Sequence, residues 1–230
     1  MKEANFFFKW SVKFSVTIII LSVVIFAFNL PLTFFAIVAI TGFAFLIKLG
    51  SGHWTPNGKF GWANTITAMK LTLLIITIIL LDLQIIDPVI VGFVLVGLVF
   101  IDKADGIMAR YLGEVSIFGE IFDNEVDAFS TLVATIILSQ IDTHYLVFII
   151  VGLLRYLYVL GIWLFDPPVK KEKASFINKI LGVSITFSFA FLIIFQTTIF
   201  LIITSISSVA IFWSFAKDFY WILGTARKSQ

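Results

Sequence analysis

The feature that most constrains this chain is a run of apolar segments, each about 18 residues or longer, that fills most of its 230 residues. A helix needs about 20 apolar residues to cross a hydrocarbon layer roughly 30 Å thick, so each segment is long enough to span a bilayer. Eight spans are read, approximately 12–29, 31–48, 65–86, 88–112, 117–140, 144–166, 176–196 and 198–222. A mean hydropathy of +1.08 and a charged fraction of only 13% agree with lipid as the solvent. The expected class is an all-α integral membrane protein of about eight transmembrane helices. The first span follows lysines as a secretory signal would, but it is longer than one and no small-residue cleavage pattern follows, so it is read as a retained helix.

Lys and Arg collect on the cytoplasmic side of short loops. An eight-span arrangement puts both termini on one side together with every Lys and Arg except Arg155, which falls inside a span. The loops of the other side, around "DLQIIDP" and "SQIDTH", carry none. The expected location is the cell (inner) membrane, multi-pass, with the termini and active site cytoplasmic. The net charge of +2 follows from this segregation and gives no reason to expect a nucleic-acid partner. The chain has no cysteine and only two histidines, His53 and His144, expected on opposite sides. Disulfides, thiolate chemistry and a His/Cys metal site are thereby excluded. No G-x-S-x-G, P-loop or H-E-x-x-H motif is present, so the chemistry must run on carboxylates.

The expected organisation is a helix pair over 1–49, an interfacial segment over 50–63, and a six-helix catalytic core over 64–230. "GSGHWTPNGKFGW" is Gly-rich and polar, and suits the headgroup layer, with Trp54, Trp62 and Trp221 as interfacial anchors.

Half of the 14 acidic residues lie between Phe100 and Phe129. At 100° per residue, Asp105, Gly106 and Ala109 fall about −60°, +40° and −20° from Asp102. On the next helix, Asp123 and Asp127 fall about +40° and +80° from Gly119. Two carboxylates and small residues therefore share one narrow face of each helix. The short connection "YLGEVS" makes the two helices antiparallel neighbours, which turns these faces toward a common site. An aspartate near a helix centre in lipid costs about 3 kcal/mol, and four together repel one another as well. Their charge calls for protons, basic side chains or cations. Two divalent ions match it, and oxygen-only ligands suit Mg²⁺ or Mn²⁺. Such a pair can clamp a phosphoryl group during in-line displacement. Glu114, Glu120 and Glu125 lie off those faces or in the loop.

The segment Asp102-x2-Asp105-Gly106-x2-Ala109-Arg110-x8-Gly119-x3-Asp123-x3-Asp127 resembles the signature of the CDP-alcohol phosphatidyltransferases at all eight fixed positions. "ANTITAMKL" is similar to the family's Asn-x2-Thr-x2-Arg element through Asn64 and Thr67, with Lys70 where arginine is usual. The resemblance implies that Asp102, Asp105 and Asp123 hold two divalent cations, with Asp127 at their edge and acting as general base. It also implies a donor site of Asn64, Thr67, Lys70, Gly106, Ala109, Arg110 and Gly119. The implied substrates are CDP-diacylglycerol and a small alcohol, the implied product besides lipid is CMP, and the implied assembly is a homodimer. Lys179, in "SFINKI", is similar to an element ahead of the fifth core helix and is placed in the acceptor site with Arg155. Arg155, near mid-membrane, either neutralises carboxylates or binds an acceptor phosphate. The alternatives are a CDP-choline or CDP-ethanolamine phosphotransferase that uses diacylglycerol as acceptor, and a cation transporter.

Overall fold

A computed structural model describes residues 2–166 and 176–226, apart from the side chains of 2–5, 103–105, 176–181, 225 and 226. The described residues form helices joined by short turns, without a strand. The helices are α1 (Lys2–Phe28), α2 (Thr33–Leu49), α3 (Trp62–Asp82), α4 (Pro88–Tyr111), α5 (Ile117–Ile141), α6 (Ile149–Phe165), α7 (Phe176–Phe195) and α8 (Thr198–Ala226), and a 3₁₀ turn over Thr143–Phe148 leads into α6. Four stretches, Phe6–Phe28, Trp62–Asp82, Thr143–Phe165 and Thr198–Gly224, are long and apolar enough to cross a membrane. Thr33–Leu49 and Gly182–Phe195 are shorter apolar helices.

Helix breaks follow local chemistry. Asp87 and Pro88 start α4, with proline in the first turn, where its missing N–H leaves no hydrogen bond unmade. Ser116 caps α5 by accepting a hydrogen bond from the Gly119 N–H at 3.0 Å. The one large boundary difference is α1, which begins near residue 2 instead of about 12. Its lysines read as a flank, yet Phe7 and Trp10 are buried, and Phe7 meets Phe118 of α5 edge-on.

Helix α5 is the axis of the bundle. It packs against α1, α3, α4, α6 and α7, and Phe122, Val126, Phe129, Leu132 and Ala134 are among its fully enclosed residues. The leading pair joins the same core. Trp10 stacks on Phe14 at 4.8 Å, and Phe43 of α2 bridges from Phe14 to Phe122 and Phe129. Large apolar side chains such as Ile199, Ile202, Ile206, Val209 and Trp213 line the outer face of α8, an inverted surface that only lipid favours.

Candidate active site

The 50–61 segment is tied to the first turns of α3 and α5. Asn64, buried, donates from Nδ2 to the carbonyls of Trp54 (3.0 Å) and Phe60 (2.6 Å). Ser116 donates to the same Trp54 carbonyl at 2.6 Å. Glu114 accepts the Ala63 N–H at 3.0 Å, which sets a carboxylate against the positive end of α3. Gly119 permits the close approach of α3 and α5, because a Cβ there would lie 3.0 Å from Asn64 Oδ1. These contacts fix the depth of α3 relative to the two helices that carry aspartate.

About two turns below Asn64, Lys70 enters the space between α4 and α5. Its Nζ donates to Oδ1 of Asp102 at 2.7 Å, Asp123 at 2.9 Å and Asp127 at 3.1 Å. The lysine side chain is only 1% exposed, whereas the three carboxylates are 26%, 35% and 47% exposed. The ammonium forms the floor and the carboxylates form the mouth. One oxygen from each aspartate lies within 4.8 Å of the others. Asp102 of α4 therefore converges with Asp123 and Asp127 of α5.

Among the described residues, a Cβ added at Gly106 would come within 4 Å of the Arg110 guanidinium alone, at 3.8 Å. Arg110 is exposed and Ala109 half-buried on the same helix. Thr67, buried, donates to the Ala63 carbonyl at 3.2 Å. The side chains of Asp105 and Lys179 lie outside the described residues.

A model of the CDP-alcohol phosphatidyltransferase family matches residues 60–216, from the end of the interfacial segment into α8. The chain belongs to this family. No curated protein and no solved structure matches it. As a CDP-alcohol phosphatidyltransferase it is a membrane phosphotransferase of phospholipid biosynthesis, acting between a nucleotide-linked alcohol and an alcohol acceptor.

The family uses divalent metal ions, and the cluster fits one. Three carboxylates at one mouth supply the hard, anionic oxygen donors that Mg²⁺ and Mn²⁺ take. Partial exposure leaves them accessible to an entering ion.

Arg155 points elsewhere. Its Nη2 donates to Glu125 Oε1 at 3.2 Å, and the same oxygen accepts the Ser11 hydroxyl of α1. Glu125 is 0% exposed, and it lies about 200° around α5 from Asp123, on the side facing α1 and α6. Sequence reasoning missed this group because it tracked the aspartate face. The available signal was Arg155, a lone charge in the apolar helix α6 that needs a buried partner, together with Glu125, an acidic residue of α5 that falls off the aspartate face.

Proposed function

We propose that the protein transfers the phosphatidyl group of CDP-diacylglycerol to the hydroxyl of a small alcohol and releases CMP. The observation that carries this reading is the three-carboxylate mouth over a lysine floor, formed by the helices that bear the family's motif. Asp102, Asp105, Asp123 and Asp127 would hold two divalent cations, Mg²⁺ or Mn²⁺. Such ions offset charge on the donor pyrophosphate and on the departing phosphate.

Asp127, the most exposed of the three described carboxylates, takes the proton of the acceptor hydroxyl. The acceptor oxygen bonds to the phosphorus that carries diacylglycerol, and the bond from that phosphorus to the oxygen of CMP breaks, its electron pair leaving with CMP. Gly106 and Ala109 leave room for the nucleotide against α4, and Arg110 supplies a cation on the same helix. The site faces the cytoplasm in a multi-pass arrangement with both termini on that side, and the enzyme is a homodimer in the cell membrane.

The lack of charge along α5 beyond Asp127 favours transfer over ion transport. Beyond Asp127, α5 continues with buried apolar residues, and the hydroxyls of Ser130, Thr131 and Thr135 donate to backbone carbonyls of their own helix. No charged residue continues the path along that helix. The test is to incubate purified enzyme with Mg²⁺, CDP-diacylglycerol and a panel of radiolabelled acceptors, and to score both CMP and lipid product. Matched release of CMP and labelled phospholipid supports the reading. Turnover only with CDP-choline or CDP-ethanolamine and diacylglycerol assigns the alternative donor, and metal flux into liposomes without CMP release rejects transfer.

A further inference from the structure

Lys70 fills the point at which the described carboxylates converge. An ammonium has three donors and no acceptor, and among the described residues Lys70 donates to Asp102, Asp123 and Asp127, contributed by two different helices. The side chain is sealed from solvent at 1% exposure. Buried ammonium of this kind persists only where negative charge surrounds it. The carboxylates it touches are also the three that would ligate a divalent cation, since one ligand atom from each lies within 4.8 Å of the others. With the ammonium already among them, a divalent ion drawn to the same carboxylates meets a charge of its own sign at close range.

We propose that Lys70 is a resident counter-cation. It holds the catalytic carboxylates together in the metal-free enzyme and gives up their Oδ1 atoms when a divalent ion enters, so that metal affinity is set by an exchange of cations. The ammonium supplies the neutralisation that keeps this part of α4 and α5 compatible with the bundle before metal arrives. It also weakens metal binding, because the incoming ion must displace a neighbour of its own sign. This inference rests on the reading of the aspartate cluster as the metal site.

A nearby charge within about 4–6 Å changes the binding constant of a proton by about one to three orders of magnitude. A divalent ion is no less sensitive. The lower end applies here because the carboxylates are partly exposed. Lys70→Met should therefore tighten Mn²⁺ binding at least about tenfold. In chelator it should melt at least about 4 °C below wild type, and saturating Mn²⁺ should close most of that gap.

The experiment is a Mn²⁺ titration of purified protein in detergent, followed by the loss of free-ion paramagnetic resonance, with thermal melts in chelator and in Mn²⁺. Lys70→Arg keeps the charge and should stay within about threefold of wild-type Mn²⁺ affinity, well short of the gain expected for Lys70→Met. A merely structural lysine predicts equal loss of stability with and without metal and no gain in affinity; that outcome overturns the inference. If Lys70→Met does not accumulate, the charge-balanced Lys70→Met/Asp127→Asn protein should, and its failure to do so also overturns it. Absence of Mn²⁺ binding in wild type and variants alike instead rejects the metal-site reading beneath it.

Discussion

Replacing Arg155 by Met strips the cation from a fully enclosed carboxylate. Glu125 is 0% exposed, and Arg155 and Ser11 both bond to its Oε1, while Oε2 has no hydrogen-bond partner among the described residues. Loss of one partner of a buried ion pair costs about 3–5 kcal/mol, because the remaining charge stays desolvated. Arg155 is itself 31% exposed, so its attraction is partly screened and the lower figure, about 3 kcal/mol, applies. For a chain of this length each kcal/mol lowers the melting temperature by about 2–4 °C. The expected drop is roughly 6–12 °C, measured by tryptophan fluorescence during thermal unfolding in a fixed detergent. The double variant Arg155→Met/Glu125→Gln removes the stranded charge and should recover more than half of that loss. A single variant within about 2 °C of wild type, or a double variant no better than the single, refutes the argument. The double variant also isolates the acceptor role expected of Arg155: a purely structural pair leaves the acceptor KM unchanged once stability is regained, whereas phosphate binding raises it.

Three further outcomes are expected. Gly152→Ala places a Cβ 2.4 Å from Thr135 Oγ1 and 2.9 Å from the Leu132 Cα where α6 crosses α5, and should destabilise by about 1–3 kcal/mol in the same melts; Gly97→Ala, which meets none of the described residues within 4 Å, should be neutral or slightly stabilising. Asp142 follows α5, and its carboxyl is held below its ordinary value of 3.8 first by the His144 backbone N–H and then by the His144 ring. A lowered value means that the contribution is present above 3.8 and disappears as pH falls through the folded-state value, so the stability gap between wild type and Asp142→Ala should be present at pH 7 and close as the solution is acidified from 3.8 downward. Chelation should abolish CMP release, and excess Mg²⁺ should restore it; release that persists in chelator at an undiminished rate contradicts the proposed chemistry.

The meeting of Asp102 of α4 with Asp123 and Asp127 of α5 was legible because helical period sets the aspartate face of each helix, and the short link between the helices fixes their antiparallel pairing. Lys70 was legible only as part of a motif. That it crosses from α3 to reach both helices depends on the depth of α3, which Asn64, Glu114 and Gly119 set through contacts more than 50 residues apart in the case of Glu114 and Ala63. Glu125 was passed over because local periodicity turned it away from the aspartates. Its partners, Ser11 and Arg155, lie 114 and 30 residues distant, and no local pattern brings them together. The start of α1 was misplaced for a similar reason: lysines signal a flank, and only tertiary burial of Phe7 and Trp10 carries the helix through them. Local rules thus located the carboxylate cluster, while long-range packing decided what neutralises it.

The most direct measurement is an experimental structure of the enzyme with Mn²⁺ and CDP, with anomalous scattering used to locate the metal. Manganese within coordination distance of Asp102, Asp123 and Asp127, with the pyrophosphate of CDP against it and Lys70 Nζ withdrawn from their Oδ1 atoms, is the predicted result. Nucleotide bound on another face, or manganese held by residues outside this cluster, contradicts the account.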